Sequence, residues 1–105
     1  MIIREWRGRA LPARAEDYPA HFRKNVMPDL LQIDGFCGAH LSQRRTADRI
    51  EFLVLTRWRS MDVIRAFAGD DVERSVVEPE AVAALEDFDS TVQHYTVLED
   101  VVVPS

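Results

Sequence analysis

The chain has 105 residues, 47% of them hydrophobic and 30% charged, with a formal net charge of -5. That is enough apolar material for a packed core and excludes an intrinsically disordered chain. The single cysteine, Cys37, excludes an internal disulfide framework and any CxxC metal or redox pair, as suits a reducing cytosol.

No apolar run approaches the ~20 residues that cross a bilayer, and Met1-Ile2-Ile3-Arg4-Glu5 lacks a basic segment followed by an apolar one. A cytoplasmic protein without a membrane partner is expected. Charge is uneven: up to residue 65 there are 12 basic and 8 acidic residues, and beyond it 1 and 10. The basic residues alternate with acids along strands and do not cluster between aromatics, so no nucleic-acid partner is expected. Cross-strand pairing is the simpler account, with Arg4, Arg7 and Arg9 facing Glu99 and Asp100 of a neighbouring last strand.

Residues 2 to 10 read as a first strand carrying Ile2, Ile3 and Trp6 and ending before Pro12. Tyr18, Phe22, Val26, Leu30 and Ile33 then recur at helical spacing, with Pro19 in the first turn. Pro28 removes a donor in the interior, so the helix is expected to kink or restart near Met27, and Asp34-Gly35 stops it. A second strand from about Phe36 to Arg45 and a third from Ile50 form an antiparallel hairpin across Thr46-Ala47-Asp48. In the third strand Phe52, Val54, Thr56 and Trp58 point one way and Leu53 and Leu55 the other, so both faces need cover.

Ser60 is placed to cap a helix with Asp62 in its first turn and Met61, Ile64, Phe67 and Ala68 on its apolar face. Gly69 ends that helix in a left-handed conformation, and Pro79 heads another carrying Ala81, Val82, Ala84 and Leu85. The last strand is expected from about Thr91 to Val103. The order strand, helix, strand, strand, helix pair, strand is an α+β ferredoxin-like βαββαβ unit with a four-stranded antiparallel sheet, one domain over residues 1–105. Strands one and three are expected side by side in the middle and parallel to each other. Helices on one face leave the other open, where Leu53, Leu55, Ile3, Val97 and Leu41 exceed scattered surface apolars. A homodimer packed sheet to sheet is the expected remedy.

The run Glu51 to Asp62, the segment Ala66-Phe67-Ala68-Gly69, the segment Val92 to Val97 and the turn Gly35-Phe36-Cys37-Gly38-Ala39 resemble the antibiotic biosynthesis monooxygenase family of dimeric α/β barrels. Thr56-Arg57-Trp58-Arg59-Ser60 entering a helix carries most of that resemblance. It implies homodimers with a pocket between sheet and helices, lined by Trp58. Members include cofactor-independent oxygenases of aromatic polyphenols, quinol oxygenases and haem-degrading enzymes. The haem branch is disfavoured: its axial histidine would fall in Ser75-Val76-Val77-Glu78, and its strand-one asparagine position holds Trp6.

A cofactor-free oxygenase needs a base, a dry aromatic pocket and a donor near the developing oxyanion. His94 is the expected base and Trp58 the expected catalytic wall, with Phe52, Trp6, Phe22, Phe67 and Tyr95 as further substrate-binding candidates. His94 and Tyr95 have opposite parity, so only one faces the helices. A polar residue beside Trp58 is expected to be missing, since Val54 and Thr56 flank it. His21 is expected on a solvated helix face, Cys37 as a small buried hydrophobe, Arg57 at the dimer face, and Glu78 and Glu80 on a solvated face. The three histidines lack metal-ligand spacing, so neither metal nor cofactor is expected. Two readings stay open: a homodimeric monooxygenase of small aromatic or quinol-like molecules, and a non-catalytic dimeric small-molecule-binding or stress-linked protein of the same fold.

Overall fold

A computed structural model of the chain describes residues 1–104. Strand β1 (Ile2–Ala10) leads through a turn at Pro12–Arg14 into α1 (Asp17–His21), a π-helical turn (Phe22–Val26) and α2 (Met27–Leu31). Strands β2 (Phe36–Arg45) and β3 (Ile50–Trp58) follow, then α3 (Met61–Ala68), α4 (Pro79–Ala84), β4 (Asp87–Phe88) and β5 (Gln93–Thr96). The sheet order is β2-β3-β1-β4, with β5 also on β1. The α+β ferredoxin-like fold is the one expected.

Pro28 has the expected consequence. Lacking an N–H, it cannot continue a regular ladder, and the turn before it widens so that Met27 N–H reaches back to Phe22 O. Ser60 caps α3 by accepting from Val63 N at 3.4 Å. Gly69 ends α3 at φ 89° and ψ -176°, outside the left-handed helical well but in a region open to glycine.

Strands β1 and β3 are adjacent as expected, but antiparallel, pairing Ile2 with Trp58 and Ala10 with Ile50. The helical crossover makes β2 parallel to β1 and leaves a gap between them, and the β2–β3 hairpin turns β3 back into that gap. Leu41 is a second correction: it pairs with Val54 and packs on the helix-covered core, not on the open face. The cause is a bulge between Phe36 and Gly38, which inserts Cys37 and inverts the parity of the residues from Gly38 onward. Cys37 is therefore exposed, not buried.

The last strand is shorter than expected and broken in two. Gly8 pairs with Phe88 while Glu5 pairs with Gln93, so two extra residues lie between β4 and β5. The bulged loop instead bonds to the segment before α4, Ser75 N to Ser90 O at 2.9 Å and Val92 N to Glu73 O at 2.7 Å. Thr96 lies opposite Ile2 and Val97 N bonds Met1 O, the last contacts of this ladder. Leu98 and Val101 to Val103 are accordingly exposed. Glu99 and Asp100 lie past the end of β1, and Arg9 pairs instead with Asp87, with Asp89 at 2.8 Å and with Glu51 at 3.8 Å.

Alternation along β3 is strict: Ile50, Phe52, Val54, Thr56 and Trp58 are buried, while Glu51, Leu53, Leu55 and Arg57 are only half-covered. The buried set faces the helices and forms two clusters, one around Trp6, Tyr18, Phe22 and Phe52, the other around Leu30, Trp58 and Ile64. Between them the layer is not filled.

Candidate functional site

Where the two clusters meet, a cavity of about 130 Å³ opens between the sheet and the helices. Its floor is the helix-facing side of β1 and β3, giving Arg4, Trp6, Val54, Thr56 and Trp58. Its cover is Tyr18 and His21 of α1, Leu30 of α2, Phe67 of α3 and the stretch Val76 to Glu78. These walls are mostly apolar and aromatic with a few polar groups, the composition common to small-molecule sites.

Trp58 is fully buried, and Phe36 stands edge-on to it at 5.3 Å and Phe67 tilted at 5.1 Å. Its Nε1 donates to Thr56 Oγ1 at 2.8 Å, and that hydroxyl lies 3.4 Å from the carbonyl oxygen of Arg4. Thr56 is thus the polar partner of Trp58 expected to be missing. Trp6 Nε1 donates to Asp89 O at 2.9 Å, a carbonyl that the bulge after β4 leaves without a strand partner. Both indoles are therefore held by their polar ends while their rings face the cavity.

Arg4 is the unusual member. It is 6% exposed, yet no carboxylate pairs with it among the described residues. Nη1 donates to Val72 O at 2.6 Å and to His94 Nε2 at 3.0 Å, and Nη2 donates to Arg74 O at 3.0 Å. Its carbon lies 5.9 Å from the centre of the Phe67 ring, a cation–π contact. Burial lowers its pKa from the usual arginine value.

His94 is constrained by this geometry. Arginine only donates, so His94 Nε2 accepts and carries no proton. Burial, then the Arg4 charge, hold its pKa below the ordinary value, against an opposing pull from Glu73. His21 is a correction: it is 8% exposed and lines the cavity rather than a solvated face. Its Nδ1 contacts Asn25 Oδ1 at 3.2 Å, which makes Nδ1 the protonated nitrogen, while Nε2 is buried without a partner. Tyr18 is pushed well above the usual phenol range by burial and by the charge of Glu78, so its hydroxyl stays protonated. Glu78 is half-buried in the cavity wall at the start of α4, not on a solvated face.

The residues singled out from sequence thus separate. Trp58, Trp6 and Phe67 line the cavity, whereas Phe52 and Phe22 lie in the core behind it. His94 pairs with Arg4 on the helix side but stands behind that arginine, outside the lining. Tyr95 pairs with Ile3 on the open face and is 52% exposed. Arg57 is also on the open face, where its guanidinium lies over Gly38, a residue whose φ of 148° favours glycine. Arg4 and His21 were missed, although both carry a signal. Arg4 shares the parity of Trp6, and His21 is one turn from Tyr18 and next to Phe22, inside the apolar stripe.

Comparisons with known proteins agree with this architecture. A model of the family described as antibiotic biosynthesis monooxygenase matches residues 1–78. No curated protein matches the chain in sequence. Among solved structures, the haem degrader MhuD of Mycobacterium tuberculosis, with two haems in its active site, is 18% identical with a TM-score of 0.64, covering 97% of this chain and 100% of its own. A monooxygenase of Streptomyces coelicolor in complex with nanaomycin D is 15% identical at TM-score 0.59, over 99% of this chain and 92% of that one. SnoaB, a cofactor-independent oxygenase of Streptomyces nogalater, is 19% identical at TM-score 0.58, over 95% and 94%. Identities this low speak to the fold alone, while the family match spans most of the sequence. The chain belongs to the antibiotic biosynthesis monooxygenase family.

Proposed function

We propose that the protein is a homodimeric, cofactor-independent monooxygenase of a small phenolic or quinol-like aromatic molecule. The observation that carries this reading is the cavity itself, aromatic walls around a buried cation with no acidic partner. The likeness to SnoaB and to the S. coelicolor monooxygenase supports it at the level of fold.

The chemistry needs no added reductant, because the substrate supplies the electrons. A phenol and dioxygen give a quinone and water: four electrons leave the ring, one oxygen atom enters it, and the other leaves as water. Activation begins with loss of the phenolic proton. In this reading His21 Nε2 takes that proton, the O–H electron pair stays on the substrate, and Arg4 faces the resulting charge. His94, the base expected from sequence, acts through Arg4 as its acceptor and fixes the guanidinium. Trp58, Trp6 and Phe67 hold the ring and exclude water. The haem reading is not favoured, because the stretch that the resemblance matches to the haem branch's axial histidine, Ser75 to Glu78, holds no histidine.

The homodimer is proposed on the open face of the sheet, where Ile3, Leu53, Leu55 and Tyr95 lie together. Burying them against a second copy gains roughly 25 cal/mol per Å² of apolar surface.

Aerobic turnover of a panel of hydroquinones and naphthols tests the reading, with oxygen consumption as the signal. Uptake by the wild type that falls at least tenfold in Trp58→Phe and in His21→Gln is the expected result. Absence of uptake across the panel, with saturable quenching of tryptophan fluorescence, would identify a non-catalytic binding protein instead.

A further inference from the structure

The cover of the cavity is built unevenly. Each helix that contributes to it is anchored by buried residues: Tyr18 and His21 in α1, Leu30 in α2 and Ile64 in α3. The stretch from Gly69 to Glu78, between α3 and α4, forms neither helix nor strand, and none of its residues is buried. Yet this strap supplies Val76, Val77 and Glu78 to the wall. It also spans the gap between the two core clusters, with Val72 packed on the one around Trp58 and Val77 on the one around Trp6.

Polar bonds hold the strap where apolar packing does not. On one side, Ser75 N donates to Ser90 O at 2.9 Å and Val92 N to Glu73 O at 2.7 Å, which sets Arg74 opposite Thr91. On the other, Arg4 rises from the cavity floor and donates to Val72 O at 2.6 Å and to Arg74 O at 3.0 Å. Among the described residues no other side chain bonds the main chain of the strap. His94, which accepts from the same Nη1, fixes the direction of the guanidinium.

A segment with few buried contacts opens more readily than the core around it. Gly69 supplies a hinge: it is exposed, its φ of 89° suits glycine, and the space beside its α-carbon is empty. Opening matters because the cavity, at about 130 Å³, is smaller than the roughly 300–1,000 Å³ of most small-molecule sites. Asp29 of α2 and Val76 of the strap are the exposed members of the lining, so the cavity meets solvent between them. A strap that swings about Gly69 widens that mouth, whereas α2 is fixed by Leu30.

We propose that residues 69–78 are a hinged strap that opens to admit a ligand and closes over it, and that Arg4 is the latch. Arg4 is in this respect a positioning residue, tying the strap to the cavity floor through two carbonyls. The proposal takes from the reading above only that a small molecule enters this cavity, and it holds whatever happens to that molecule there.

The test locks the strap. Arg74 and Thr91 are a non-hydrogen-bonded antiparallel pair, whose α-carbons lie about 4.5 Å apart, within reach of a disulfide. The lock is Arg74→Cys with Thr91→Cys on a Cys37→Ser background, since Cys37 is exposed. Both carbonyls that Arg4 holds belong to the main chain and stay in place. Stopped-flow quenching of tryptophan fluorescence by 4-nitrophenol reads entry and release, and hydrogen exchange reads opening without any ligand. In the oxidised lock, association and dissociation should both slow at least tenfold, and reduction should restore them. In the wild type the amides of Ser75 and Val92 should exchange at least tenfold faster than those of β3. Arg4→Met should speed them about tenfold further with β3 unchanged, and Arg4→Lys, which still reaches a carbonyl, should reverse part of that. If Arg4→Met does not fold, the lock decides by itself. Exchange of Ser75 and Val92 no faster than that of β3, or 4-nitrophenol rates that the oxidised lock leaves unchanged, would overturn the proposal. Local opening abolished by the lock, with no binding of 4-nitrophenol or of the hydroquinones and naphthols, supports the strap and sinks the proposed substrate class. Oxygen uptake by the wild type, with probe rates that the lock does not alter, sinks the strap alone.

Discussion

The two faces of β1 treat charge in opposite ways. On the half-covered face, Glu5, Arg7 and Arg9 are matched by acids on the same strand, on β3 and at β4. On the helix-covered face, Arg4 lies among Trp6, Phe67 and Trp58 with only neutral acceptors. Balanced charge serves the sheet, and the unbalanced charge sits in the wall of the proposed substrate cavity. The same contrast holds for β3, whose inward residues pack a core and a cavity wall while Leu53 and Leu55 wait on the other side.

Variants can break this contrast. The largest loss is expected for Trp58→Ala, which removes a fully buried indole shared by core and cavity, at about 3–5 kcal/mol by urea denaturation. On the opposite face, Leu53→Asp with Leu55→Asp should leave the fold intact and separate the proposed dimer, since like charges facing across an interface cost several kcal/mol. Light scattering checks it: a halved mass supports the sheet-to-sheet dimer, and an unchanged dimer mass places the interface elsewhere.

Thr56→Val tests the floor more gently. It leaves the buried Trp58 Nε1 without an acceptor and should cost about 1–3 kcal/mol in stability. Arg9→Met sharpens the comparison with Arg4: it should cost less than about 1 kcal/mol, because its partners are partly exposed, and leave the amide exchange of Ser75 and Val92 unchanged. Arg4→Met should speed that exchange.

The smallest effect is one of pH. His94 has a folded pKa lowered from 6.5, so the unfolded chain takes up its proton first as pH falls. The stability contributed by neutral His94 is therefore full above pH 6.5 and is lost as pH falls from there through the folded value. A denaturation series from alkaline to acid pH should show this slope, and His94→Asn should flatten it.

Much of the fold was legible because its signals are local. Alternation in Ile50 to Trp58, the Ser60 cap, Pro79 at a helix start and the break at Pro28 each depend on a few neighbouring residues. Of the site, Trp58, Trp6 and Phe67 were readable as large apolar residues on the inward parity. Arg4 and His21 were not, because a polar residue is assigned to solvent until its surroundings are known. Leu41 and Cys37 were misplaced for a different reason: one inserted residue at Cys37 inverts the parity of β2, and an insertion is defined only by the partner strand.

By itself, then, the sequence determined which segments are strands and helices, which face of β3 is apolar, and the family to which the chain belongs. Only tertiary structure decided the antiparallel placement of β3 beside β1, the end of β5 at Thr96, and the union of Arg4, His21 and Trp58 around one cavity. Patterning acts over a few residues and sets what is buried. Which donors find acceptors there, and which are left for a ligand, depends on chain segments as far apart as Arg4 and His94.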